Sequence, residues 1–259
     1  GVSLVENDKH AFIQVIDGIK TDTWYFRYPL EAFRYHSSDY LCKIGESVFR
    51  RDGIHLDIEQ QGHSVKGKLT YTDPVDFPAS TLNPGIMGWY SFVPRMECKH
   101  GVVSVDHGIE GSLMKDGKEV DISGGRGYIE KDWGTSFPAE WLWLQCNNFE
   151  NTRTSLMLSV AKIPWMGGFF MGHICFLYTG GEFYRFATYN GSNIISVTQK
   201  ENSLNITLER KSTALEIEMK LKKSGLLKAP AHGVMDRVIK ESVDSSVSFR
   251  FQKGEDLPV

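Results

Sequence analysis

The sequence has no apolar run long enough to cross a bilayer, and it has none of the short motifs that identify common enzyme classes. Its longest apolar stretch, residues 165–178, is interrupted by Gly167, Gly168 and Gly172 and falls short of the roughly 18 residues that a membrane-spanning helix needs. A Gly-x-Ser-x-Gly nucleophile elbow, a phosphate-binding loop and a dinucleotide-binding glycine pattern are all missing. Hydrolase, kinase and dehydrogenase functions therefore have no support from motifs.

Cysteine is scarce and dispersed. The four cysteines, Cys42, Cys98, Cys146 and Cys175, form no Cys-x-x-Cys pair, which argues against a zinc ribbon or a small disulfide scaffold. Isolated reduced thiols are typical of the cytoplasm, and we predict a cytoplasmic location on that basis. The sequence begins at Gly1 rather than at methionine, so it carries no information on a leader peptide.

Patterns for metal or nucleic acid are also missing. The eight histidines include no His-x-His and no His-Glu-x-x-His, so we predict no metal site. With 29 basic and 32 acidic residues the formal net charge is only −3, which gives no electrostatic reason to expect nucleic acid as a partner.

What the sequence does contain is the period-two alternation of β-strands. In residues 214–222 apolar side chains alternate with charged ones, and residues 247–251 repeat the pattern. Turn dipeptides such as Asp116-Gly117 and Asn190-Gly191 separate such runs, and Asp116-Gly117 predicts a hairpin. Only two short helices are predicted, at 29–34 and 235–240. Many strands without alternating helices favour an antiparallel barrel or sandwich.

The most informative segment is 127–148, which holds three tryptophans and three acidic residues. In a strand, Tyr128, Glu130 and Asp132 lie on one face, with Trp133 at its end. A carboxyl group in an aromatic, poorly hydrated pocket has a raised pKa and suits proton donation, so Glu130 is the candidate general acid. The alternative is a surface glutamate paired with Lys131 or Arg126. Tyr128 is predicted to orient Glu130 or a substrate hydroxyl. Asp132 either accepts a proton or caps a turn before Gly134.

The same segment predicts the wall of an apolar site. Trp141 and Trp143 share one strand face, which Gln145 and Asn147 continue, while Leu142 and Leu144 occupy the other. An apolar cavity with a few polar groups is typical of a ligand site. Trp133 and Trp89, the latter in a second aromatic patch at 88–94, are further candidate lining residues. The alternative for each tryptophan is an ordinary core position.

These residues resemble the signature of the tocopherol cyclase family. The matching residues are Tyr128-Ile-Glu130-Lys131-Asp132-Trp133-Gly134, Phe137-Pro138, Trp141-Leu-Trp143 and Gln145-Cys146-Asn147. Weaker similarity runs from about residue 88 to residue 175. Asp132 stands where the family has asparagine.

The resemblance implies an all-β, antiparallel chain of two consecutive lipocalin-like barrels or half-barrels with few short helices. A change of composition at 147–153 places their boundary near 148, giving regions 1–148 and 149–259, or one continuous unit. The resemblance to the tocopherol cyclase family also implies an isomerase. Such an enzyme protonates the side-chain double bond of a prenylated hydroquinone, after which the phenolic oxygen closes a chromanol ring. That reaction needs neither a metal nor a redox cofactor.

Two other functions stay open at this point. A hydratase adds water to an isoprenoid double bond after the same protonation, and a non-catalytic lipocalin-like carrier only binds an apolar isoprenoid. In every case the predicted partner is a hydrophobic small molecule, with transient contact to a membrane surface as a further expectation because such molecules partition into lipid.

Overall fold

The structure is a computed structural model that describes residues 1–36, 40–81, 83–94, 96–150, 153–165 and 167–254. Paired strands within these ranges are antiparallel throughout, and the helical elements are three 3₁₀ turns, Leu30–Ala32, Gly88–Phe92 and Thr188–Asn190. The predicted antiparallel all-β class is therefore confirmed, including a half-barrel sheet. Within the described residues, no helix is long and apolar enough to span a membrane.

The first half of the chain forms two sheets. The smaller contains β1 (Val2–Ser3), β2 (His10–Ile16) and β3 (Thr23–Tyr28). The larger contains β4 (Phe33–His36), β5 (Leu41–Ile44), β6 (Ser47–Arg50), β7 (Gly53–Gln60), β8 (His63–Asp76), β9 (Cys98–Lys115) and β10 (Lys118–Asp121), each paired with the next in chain order. In addition, β11 (Gly125–Gly134) pairs with β9.

The second half supplies three more sheets. One contains β12 (Trp141–Cys146), β13 (Ser155–Trp165), β14 (Gly168–Thr179) and β15 (Glu182–Ala187) in chain order. The hairpin of β19 (Gly225–Ala231) and β20 (Val234–Glu241) forms a second. The third contains β16 (Asn193–Lys200), β17 (Ser203–Arg210), β18 (Thr213–Lys220) and β21 (Ser246–Lys253) in that order.

The apolar faces of these sheets pack into separate cores. Between the β12–β15 sheet and the β16–β18–β21 sheet, side chains such as Leu158, Leu177 and Leu215 are fully buried. The predicted alternation holds along β18, where Leu215, Ile217 and Met219 are buried, but Leu221 lies beyond the strand and is exposed. Leu142 and Leu144 contribute to this core, so the opposite face of β12 is free to line a site.

One predicted helix is wrong. Residues 235–240 lie in strand β20, which pairs with β19 as a hairpin. A two-residue turn at His232-Gly233, with φ of 50° and 87°, joins the two strands. Positive φ at both positions is the type I′ geometry that suits hairpins. The Asp116-Gly117 hairpin is confirmed, since its φ angles of 51° and 78° join β9 to β10. The other predicted helix, at 29–34, is reduced to the 3₁₀ turn Leu30–Ala32.

Candidate active site

The pairing of β9 with β11 brings a histidine against the acidic face of the signature. In this register His100 lies opposite Asp132 and Val102 lies opposite Glu130. Tyr128 donates a hydrogen bond from its phenol to Oε2 of Glu130 at 2.6 Å. Tyr128, Glu130 and Asp132 therefore share one face of β11, as the alternation predicts, despite register shifts between Gly127 and Glu130.

His100 lies between the two carboxyl groups. Its Nδ1 is 2.5 Å from Oδ1 of Asp132, and its Nε2 is 3.2 Å from Oε2 of Glu130. The first contact is a hydrogen bond, whereas the second has ion-pair distance without hydrogen-bond alignment. Burial by itself lowers the pKa of His100, but the hydrogen bond to Asp132 and the close negative charges of Glu130 and Asp132 outweigh burial and raise the pKa to about 10. The imidazole is therefore a cation at neutral pH.

These groups form one wall of a cavity of about 260 Å³. Strands β9, β11, β12, β13, β14 and β20 contribute to its lining. Its apolar and aromatic lining includes Tyr90, Phe137, Trp141, Trp143, Ile163 and Ile239. Besides Tyr90, the titratable side chains that line it among the described residues are Cys98, His100, Glu130, Asp132, His173 and Glu241. The result is an aromatic pocket with its charged groups gathered from distant parts of the chain, which is the composition of a ligand site.

Four of the nine predicted site residues line this cavity: Glu130, Asp132, Trp141 and Trp143. Tyr128 does not line the cavity, but it donates a hydrogen bond to Glu130, which does. Trp133 lies on the opposite face of β11, is 49% exposed, and packs under the ammonium group of Lys131. Trp89 is half exposed and does not line the cavity, but its ring packs against Tyr90, which does.

Gln145 and Asn147 lie outside the cavity lining although they continue the Trp141 face. Asn147 donates a hydrogen bond to the carbonyl of Gly127 at 2.7 Å and also approaches Asp106, so it ties the end of β12 to β9 and β11. The buried Nε2 of Gln145 has no hydrogen-bond partner within the described residues.

Sequence reasoning missed His100, Cys98, His173 and Glu241. His173 donates or accepts through both ring nitrogens, to Ser192 and Thr188 at 3.1 Å each, and burial lowers its pKa to about 4, so it is neutral. Burial and the nearby charges of Asp132 and Glu130 raise the pKa of Cys98 to about 12, so its thiol stays protonated. Only the pairing register of β9 with β11 identifies His100, and no local motif contains it.

One group of three potential metal ligands lies within the described residues. The donor atoms of His100, Glu130 and Asp132 are within 4.8 Å of one another. The imidazole presents Nε2 to Glu130 and Nδ1 to Asp132, so each carboxyl group contacts a different ring nitrogen. The absence of a metal stays a prediction, which metal analysis of the purified protein checks.

The charge on His100 predicts a pH dependence of stability. A pKa raised from the ordinary value near 6.5 to about 10 adds stability that is fully present below pH 6.5 and is lost as pH rises toward 10. We expect the free energy of unfolding of the wild type to exceed that of His100→Gln by a few kcal/mol at pH 6.5 and by less at pH 9.

Urea denaturation of both proteins between pH 6.5 and pH 9 measures this difference. The wild type alone is not informative, because buried thiols such as Cys98 and Cys175 also have raised pKa values and destabilise the fold as pH rises. A difference between the two proteins that is constant over this range would contradict the assignment of an imidazolium.

Comparison with known proteins supports the resemblance in the signature. The model of the tocopherol cyclase-like family matches residues 52–257. "Probable tocopherol cyclase, chloroplastic" of Oryza sativa subsp. japonica is 28% identical over 149 residues, which cover 55% of this chain and 31% of that protein. "Tocopherol cyclase, chloroplastic" of Zea mays is 27% identical over 110 residues, covering 40% of this chain and 23% of that protein.

A solved structure described as an AttH from Nitrosomonas europaea aligns with a TM-score of 0.48 and 11% identity, covering 95% of this chain and 81% of that one. The stretches matched in the rice and maize proteins span less than a third of either relative. The family match itself covers most of the present sequence and includes every strand from β7 to β21. The chain belongs to the tocopherol cyclase-like family.

Proposed function

We propose that the protein is an isomerase that closes a chromanol-type ring on a prenylated hydroquinone by acid catalysis. The observation that carries this proposal is a connected set of four side chains, Tyr128, Glu130, His100 and Asp132, on the wall of an aromatic cavity. Two hydrogen bonds and the ion pair between Glu130 and His100 link them. Family membership and the names of the rice and maize relatives agree with it.

The reaction makes three demands on a protein. A proton must reach the side-chain double bond, the resulting tertiary cation must be shielded from water, and the phenolic proton must leave as the carbon–oxygen bond forms. Glu130 and its partners supply exchangeable protons, and the rings of Trp141 and Trp143 supply π faces beside the cavity. Such faces stabilise a cation by roughly 0.5–2 kcal/mol each when desolvated.

The size of the cavity fits the reacting part of such a substrate. A volume of about 260 Å³ is slightly below the roughly 300–1,000 Å³ of typical small-molecule pockets. It accommodates the hydroquinone ring with the first isoprene unit, while the remaining prenyl chain extends outside. Substrate recognition is therefore expected to depend on the ring and the first double bond more than on chain length.

Anaerobic incubation with a panel of reduced prenyl hydroquinones, analysed by chromatography with mass detection, tests this function. We expect a new product of unchanged mass whose retention time matches the chromanol. A product heavier by one water would instead establish a hydratase. Binding without any turnover across the panel would favour a carrier and contradict the proposal.

A further inference from the structure

Glu241 is a carboxyl group that the signature does not contain and that the structure places in the same cavity. It is the last residue of β20, paired with Gly225 of β19. Its side chain lines the cavity together with Ile239, two residues earlier on the same strand face. The β19–β20 hairpin thus adds the carboxyl group of Glu241 to a cavity that also contains the carboxyl groups and the histidine of β9 and β11.

Arg237 holds this hairpin against the site. Its guanidinium donates hydrogen bonds to the carbonyls of Pro138 and Ala139, each at 3.0 Å, and lies 4.5 Å from the centre of the Trp141 ring. Arg237, Ile239 and Glu241 occupy every second position of β20 and therefore lie on the same face of the strand. The contacts of Arg237 thus orient the face that carries Glu241. The contacts of Arg237 with Pro138, Ala139 and Trp141 therefore determine where Glu241 lies relative to Trp141.

The surroundings of Glu241 favour a neutral carboxyl group. Its side chain has no hydrogen bond and no ion pair within the described residues, and it is half-buried. Burial raises its pKa, and the nearby charge of Glu130 raises it further. The cations that the structure places near this wall are already engaged, because His100 contacts Glu130 and Asp132 and Arg237 contacts two carbonyls.

Glu130 has the opposite environment. Its Oε2 accepts the hydrogen bond of Tyr128 and lies 3.2 Å from the imidazolium of His100, so this carboxylate is arranged as an acceptor. Two carboxyl groups in one cavity with such different partners are typical of an acid and a base that act on one substrate.

We propose that Glu241 is the proton donor to the double bond and that Glu130 is the acceptor of the phenolic proton. This division of roles rests on the proposed ring closure. Glu241 transfers its proton to the less substituted alkene carbon, which forms a C–H bond and leaves a tertiary cation and a Glu241 carboxylate. The phenolic oxygen attacks the cation, a C–O bond forms, and the phenolic proton passes to Glu130. Return of that proton from Glu130 to Glu241 restores the enzyme, so the reaction is a redox-neutral isomerisation.

Glu241→Gln tests the assignment, with Asp236→Asn as the matched control. Asp236 is an exposed carboxylate on the same strand, so its replacement should leave turnover unchanged. Glu241→Gln should lower turnover of the accepted prenyl hydroquinone by roughly 10²–10⁴-fold, the range for loss of a general acid. Binding of that hydroquinone, followed by tryptophan fluorescence, should stay within a few-fold of the wild type.

A pH profile separates a donor from a structural residue. The wild-type rate should fall as pH rises through the pKa of Glu241, and the residual rate of Glu241→Gln should lose that descending limb. If the glutamine variant does not fold, Glu241→Asp should fold and keep part of the activity, since it retains an acid one methylene shorter.

Three results would overturn the assignment, and they are distinguishable. Full turnover in Glu241→Gln, or a descending limb unchanged in both Glu241 variants, would remove Glu241 from the reaction while the cyclase function stands. Absence of turnover in the wild type would remove the proposed function, and this inference with it.

Discussion

Replacing Glu130 with glutamine should lower the rate of ring closure by roughly 10²–10⁴-fold, the range typical for loss of a general acid–base group. Glutamine keeps the shape and the hydrogen-bonding oxygen that Tyr128 needs, but it neither accepts a proton nor balances the charge on His100. The affinity for a prenyl hydroquinone should change little, because Trp141 and Trp143 still line the cavity.

Single-turnover assays with a saturating, reduced prenyl hydroquinone measure the loss directly. Glu140→Gln is the matched control, since Glu140 is 69% exposed, pairs with Lys162 and lies outside the cavity lining. Its replacement should leave the rate within a few-fold of the wild type. Near-normal turnover in Glu130→Gln would show that Glu130 is structural and takes no part in proton transfer.

A proton carried by His100 explains why these residues form a unit. An imidazole with a pKa near 10 is charged across the physiological range, so it stabilises two carboxylates that otherwise repel each other. The net charge of His100, Glu130 and Asp132 when all are ionised is −1, whereas the two carboxylates alone carry −2. The site thus presents an acceptor to the substrate phenol at lower electrostatic cost.

Local periodicity was sufficient for the parts of the site that lie on one strand. Alternation placed Glu130 and Asp132 together on β11 and Trp141 and Trp143 together on β12, and the structure has both pairs in one cavity. The same rule explains the failure for Trp133, whose odd position puts it on the other face of β11, where it is half exposed. A strand pattern therefore identifies which residues of one strand share a face, but it does not identify the residues of other strands that pack against that face.

Contacts between strands could not be predicted from the sequence, because they depend on which strands pair and in which register. His100 meets Asp132 only because β9 and β11 pair in one particular register, and a slip of a single residue would turn its side chain to the opposite face. Glu241 reaches the cavity through the β19–β20 hairpin, next to residues 235–240, for which the sequence pattern predicts a helix. The His232-Gly233 turn was the available signal, because residues of this kind adopt the positive φ that a tight hairpin requires.

Asn147 shows how a residue can match a family signature without lining the cavity. It lies at the end of the face that carries Trp141 and Trp143, yet it donates to Gly127 and to a fully buried carboxylate, Asp106. Its observed contacts are structural, and they connect β12 to the strands that hold Glu130 and His100. The signature therefore combines residues that line the cavity with residues that hold its walls together.

Asp106 is the centre of that connection, and its replacement should have the largest effect on stability. Its side chain is fully buried, accepts from Nε of Arg126 at 2.9 Å and from Nε of Arg153 at 2.7 Å, and thereby joins β9, β11 and the segment before β13. Asp106→Asn removes the charge and leaves two guanidinium groups without their shared partner. Breaking a buried ion pair costs roughly 3–5 kcal/mol, and because Arg126 and Arg153 are both about a third exposed, solvent should limit the cost to about 3 kcal/mol.

Thermal unfolding of the variant should show a midpoint lower by about 6–12 °C, given roughly 2–4 °C per kcal/mol for a chain of this size. Asp52→Asn serves as the control, because Asp52 is 74% exposed and its pair with Arg50 should contribute no more than about 1 kcal/mol. An unchanged midpoint in Asp106→Asn would mean that the two arginines are solvated well enough to need no partner. A large loss, with turnover retained at temperatures where the variant is folded, would establish that Asp106 holds the walls of the site and takes no part in its chemistry.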